Sequence, residues 1–84
     1  MEVLFTARFL RSYNKLPLEV PDDVVHAVEE FKQPRNHEML KLHKLHGKMK
    51  KYHAFSANFS YRIIVKIEKG CAYCMDVGDH SIYE

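Results

Sequence analysis

Residues 61–80 constrain the fold more than any other stretch of this chain. Tyr61, Ile63, Val65 and Ile67 alternate with Arg62, Ile64, Lys66 and Glu68. A period of two suits an extended strand, whose side chains leave alternately on opposite faces. Lys69-Gly70 breaks the run, and a second apolar stretch continues from Cys71 to His80. The segment therefore predicts two strands joined by a tight turn. Such a hairpin is marginal by itself, so its apolar face needs a cover. Alternation assigns Tyr61, Ile63, Val65 and Ile67 to the covered face, with Cys71, Tyr73, Met75 and Val77. Arg62 and Lys66 then share the open face with Cys74, Asp76, Gly78 and His80.

The cover is written in the first 34 residues. Val3 and Phe5 form a short strand pattern, and Thr6 can cap a following helix whose Leu10, Tyr13 and Leu16 recur at helical spacing. Pro17 ends that helix. Pro21 suits a first helical turn, with Asp22 and Asp23 complementing the positive helix end. Val20, Val24, Val28 and Phe31 make an apolar stripe that Pro34 closes. Residues 35–50 have neither period and contain Gly47, so they predict an irregular connection. A further strand is expected at Lys51–Asn58, turning through Asn58-Phe59-Ser60. The predicted order is β-α-α-β-β-β. This is one α+β domain over residues 1–84, a helical hairpin on one face of a largely antiparallel four-stranded sheet.

Charge is unevenly divided. Residues 1–34 hold four Lys or Arg against six acids, while residues 35–84 hold nine against five. Five of those nine cations lie between Lys41 and Lys51, among His43 and His46. Lysines supply phosphate contacts, and an imidazole titrates near pH ~6.5, where it can give or take a proton. The pattern points to a polyanion, RNA above all. Arg62 and His80 converge on the open sheet face, and His53 joins them in one of two strand registers. His26 and His37 are assigned no role. Cys71 and Cys74 are three residues apart on a strand, with no second pair to complete a zinc site. No metal and no cofactor is expected. No apolar run is long enough to span a membrane, no signal peptide is visible at Met1–Phe5, and a cytoplasmic location is expected.

These segments together resemble the RelE/ParE superfamily of bacterial toxins from toxin–antitoxin modules. The resemblance runs through Phe9-Leu10-Arg11-Ser12-Tyr13-Asn14-Lys15-Leu16-Pro17, His43-Lys44-Leu45-His46-Gly47-Lys48, Tyr61-Arg62-Ile63-Ile64-Val65 and Val77-Gly78-Asp79-His80-Ser81-Ile82-Tyr83. It implies RNA held on the sheet face opposite the helices, and cleavage of messenger RNA, often on the ribosome. In that family the arginine after the aromatic of the third strand handles phosphate and matches Arg62. A basic residue after the last Val-Gly matches His80, and a C-terminal aromatic matches Tyr83. Where the RelE type carries two lysines, this chain has His53 and Phe55, which is closer to the histidine-using YafQ and YoeB branch. Glu38 lies near the glutamate base of the YoeB type without a clean alignment, and that role is not transferred.

The expected activity is metal-independent endoribonuclease cleavage that arrests translation. The 2′-hydroxyl attacks the adjacent phosphorus, His53 and His80 exchange the protons, and Arg62 stabilises the transition state. Tyr83 stacks on a base or orients the phosphate. Lys44, His46, Lys48, Lys50 and Lys51 bind RNA. The implied partner is a cognate antitoxin, through which alone the pair meets DNA. The alternative is the ParE branch, which inhibits DNA gyrase without cutting RNA.

Overall fold

Among the described residues five strands, one more than expected, make the sheet. The computed structural model describes residues 1–83, Tyr83 through its backbone only. The chain runs β1 (Glu2–Phe5), α1 (Ala7–Tyr13), α2 (Val20–Phe31), β2 (His43–Lys44), β3 (His53–Ser56), β4 (Arg62–Glu68) and β5 (Cys71–Gly78). It closes in a 3₁₀ turn at His80–Tyr83. The spatial order is β1-β5-β4-β3-β2. β1 runs parallel to β5 and every other pair is antiparallel. The added strand is β2, where His43 and Lys44 pair with Ala54 and His53. Two residues are too few to show a period, which is why this segment reads as irregular in sequence. The α+β class and the helices on one face are as expected.

The β4–β5 hairpin turns through Lys69 and Gly70, at φ 48° and 82°. Both central residues adopt positive φ, the twist a two-residue hairpin loop needs, and glycine takes it without a Cβ penalty. One irregularity then changes the assignment of faces. Ile64 pairs with Asp76 but Val65 pairs with Cys74, so Met75 is an extra residue at a β-bulge. The bulge inverts the alternation of the strand before it. Ala72 and Cys74 lie in the core under the helices, with Val77 beyond the bulge. The expected burial of Cys71, Tyr73 and Met75 there is therefore corrected. Met75 packs instead against Ile64 on the opposite face, and Tyr73 pairs with Lys66 on that side. Burial among apolar groups raises the Cys74 thiol to about 12, so it is an inert core residue.

Helix α1 is welded to this bulge. The Thr6 hydroxyl accepts from Phe9 N at 3.1 Å as the N-cap and lies within 3.1–3.2 Å of the Cys74 and Met75 carbonyls, to which it can donate. Asp76, just past the bulge, accepts from Ser12 Oγ at 2.6 Å and from Arg8 Nε at 3.2 Å. These bonds rotate α1 so that Phe9, not Leu10, enters the core, while Leu10 remains half exposed. Helix α2 buries Val24, Ala27, Val28 and Phe31, the expected stripe with Ala27 added. Phe31 lies between two rings, with centroids 4.3 Å from both Phe55 and His37. The His37 ring also bonds the Phe31 carbonyl at 2.9 Å, which explains a histidine with no role in chemistry.

Candidate nucleic-acid interface

The sheet face away from the helices is only partly open. Leu45, Ala54 and Ile64 form a second, smaller cluster there, with Met49, Tyr52, Met75 and Ile82 packed against it. Leu45 and Met49 thus act as apolar anchors for the basic loop. Between them Gly47 takes φ 66° and opens a 3₁₀ turn through Met49. The loop returns through hydrogen bonds from Leu45 N to the Tyr52 carbonyl and from Tyr52 N to the Met49 carbonyl. His46, Lys48, Lys50 and Lys51 project from this anchored loop and are exposed, whereas Lys44, also exposed, pairs with His53 in the sheet and so leaves on the helix side. Leu45, His46, Lys48 and Met49 line a shallow cavity of about 300 Å³. Among the described residues none of these lysines has a salt-bridge partner. Their charge is free to meet a polyanion.

The second end of this face is built by β4 and β5. Arg62 pairs with Gly78, and the His80–Tyr83 turn folds back over Gly78, where a Cβ would stand 3.5 Å from Ile82. The structure therefore brings Arg62 and the exposed His80 to one end of the sheet. Arg62 does not reach freely into solvent. Its Nη1 donates to the carbonyls of Asn58, Phe59 and Tyr61 at 2.9, 3.1 and 3.1 Å. Among the described residues its Nε and Nη2 make no bond, which leaves one edge of the guanidinium for a phosphate. Asp79, beside His80, accepts from Ser81 N and Oγ, bonds that hold its carboxyl below the ordinary range.

His53 is not brought to this site. It pairs with Val65 and shares a face with Phe55, so it lies on the helix side of the sheet. Register decided what sequence left open. Its Nδ1 is buried with no hydrogen-bond partner among the described residues. Desolvation, then Lys44 and His43, lowers its pKa and so favours the neutral ring. The Tyr83 side chain lies outside what the structure describes. Among the described residues no three His, Cys, Asp or Glu side chains gather into a metal site. Sequence reasoning missed the loop anchors, whose signal was the four-residue step from Leu45 to Met49. It also missed the Arg8–Asp76–Ser12 network, which depends on the bulge and has no local signal.

No protein-family model matches the sequence, and no curated protein matches it either. Solved structures do match. The RelB–RelE antitoxin–toxin complex from Methanococcus jannaschii aligns at a TM-score of 0.76 and 20% identity, covering 96% of this chain and 95% of that one. The fold is the RelE toxin fold. The YoeB–YefM complex from Staphylococcus aureus gives a TM-score of 0.73 at 12% identity over 95% and 97% of the two chains. The RelBE2 toxin–antitoxin complex from Mycobacterium tuberculosis gives 0.68 at 21% identity over 94% and 96%. This chain builds the RelE fold from very different side chains. Fold alone says little about chemistry, so its own residues must supply that argument.

Proposed function

We propose that the chain is the toxin of a toxin–antitoxin pair and an endoribonuclease acting on messenger RNA, engaged on the ribosome. One observation carries the reading. A loop with exposed Lys48, Lys50 and Lys51 is anchored on the sheet face that also ends in Arg62 and His80. RNA crossing this face would meet lysines along its backbone, and each phosphate contact would add to the salt dependence of binding.

At the far end the free edge of Arg62 would hold the phosphodiester and stabilise charge as the 2′-hydroxyl attacks phosphorus. The P–O5′ bond breaks and a 2′,3′-cyclic phosphate forms. His80 relays the 2′-hydroxyl proton to the departing 5′-oxygen. His53 has no part in this step, since it lies across the sheet from Arg62. The antitoxin would seat in the apolar groove between the helices, lined by Phe5, Phe9, Leu10, Val25 and Val28, whose volume is about 160 Å³. The RelB–RelE and YoeB–YefM complexes, similar in fold, support an antitoxin partner, and the apolar lining of the groove is what assigns it there.

The test is induced expression in translating cells with RNA ends mapped, beside His80→Ala. His80 is exposed, so its loss should leave the fold intact. New ends within coding regions that vanish in the variant are the expected result. Growth arrest with intact RNA would move the assignment to gyrase inhibition.

A further inference from the structure

Phe59 is 94% exposed, the most exposed large apolar side chain among the described residues. It stands at the tip of the β3–β4 turn, and nothing in the fold needs it there. Burying a ring of this size ordinarily stabilises a protein, so leaving it in water forgoes that gain. The turn beneath it is nevertheless pinned from three directions. Asn58 Oδ1 accepts from Ser60 N and Tyr61 N at 2.9 and 2.8 Å. Asn58 Nδ2 donates to Asp23 Oδ2 at 2.9 Å, tying the tip to helix α2. Arg62 Nη1 grips the Asn58, Phe59 and Tyr61 carbonyls from the other side. Leu18 is almost as exposed, but it has no aromatic face and no comparable side-chain bracing.

We propose that Phe59 is a base-stacking platform for the RNA held by Arg62, a contact that rests on the nuclease reading above. An exposed phenyl ring on a braced turn, next to a guanidinium assigned to phosphate, fits single-stranded RNA, whose unstacked bases lie on aromatic rings. The same Nη1 clip that orients the free edge of Arg62 also bonds the carbonyl of Phe59. Phosphate grip and base platform would therefore move as one unit. Stacking is tolerant of base identity, so Phe59 would set where the strand lies more than which sequence is cut. A protein contact at Phe59 is the competing assignment, and it lacks any surrounding apolar patch built from the turn itself.

The chain has no tryptophan, so Phe59→Trp creates a single fluorescent reporter at the platform. The probe is a 2′-O-methyl RNA oligonucleotide, which has no 2′-hydroxyl to attack and cannot be cleaved. Binding is read separately by anisotropy of an end-labelled copy. The expected result is binding with quenched indole emission from Phe59→Trp, about tenfold weaker binding by Phe59→Ala, and near-native binding by Phe59→Tyr. Equal binding by Phe59→Ala with unchanged indole emission from Phe59→Trp would overturn the platform, assign the ring to a protein contact, and leave the nuclease reading standing. No oligonucleotide binding by the native chain, on or off ribosomes, would overturn both.

Discussion

Arg62→Ala separates two duties that one side chain performs. Its Nη1 holds the Asn58–Tyr61 turn through three carbonyls, while its remaining edge is assigned to phosphate. A hydrogen bond from a charged donor contributes about 1.5–3 kcal/mol when fully realised. Here one nitrogen with two protons is shared among three acceptors, and the Tyr61 carbonyl also accepts from Ala57 N at 2.9 Å. The stability loss should therefore be about 1–2 kcal/mol. A chain of 84 residues has a stability of order 4–13 kcal/mol, so the variant stays folded. With a urea slope of about 1 kcal/mol per molar, the unfolding midpoint should fall by about 1–2 M. Cleavage should fall much further, by about 10²–10³-fold, the effect of removing one preorganised donor to a developing charge. Arg62→Lys should recover only part of either quantity, because one ammonium cannot brace the turn and fork onto a phosphate. Urea unfolding and single-turnover cleavage on the same preparations measure both. Cleavage within about threefold of native would refute the phosphate role, set against the loss expected for such a donor, and an unmoved midpoint would refute the brace.

Two further outcomes test the fold. Thr6→Ala removes the α1 cap and the hydroxyl bond to the bulge carbonyls together, so stability should drop by about 1–2 kcal/mol in thermal or chemical unfolding, above the low end for a cap alone. His53 has a folded pKa below its ordinary value of 6.5, so below that pH the unfolded chain binds more protons and native stability is lost as pH falls. It is fully present above pH ~6.5, and His53→Gln should flatten that dependence in unfolding midpoints measured from about pH 5 to 8.

Local sequence specified the elements with one exception, the two-residue strand β2. Period two at 61–68, the apolar stripe from Val20 to Phe31, Thr6 as a cap and Lys69-Gly70 as a turn are local statements, each resolved within a few residues of backbone. The clustering of lysines between Lys41 and Lys51 was equally visible, because charge needs no partner to be counted. Tertiary structure decided which face each residue met. One extra residue at Met75 inverted the alternation before it, sending Cys74 inward and Met75 outward, since parity along a strand survives only while pairing is one to one. Pairing with β4 put His53 on the helix side, and no pattern within β3 could have chosen between its two registers. The anchoring of the basic loop through Leu45 and Met49, and the bracing of Arg62 on its own turn, came from contacts whose geometry exists only once the sheet has formed. Composition placed the charge in the chain, and packing placed it in space.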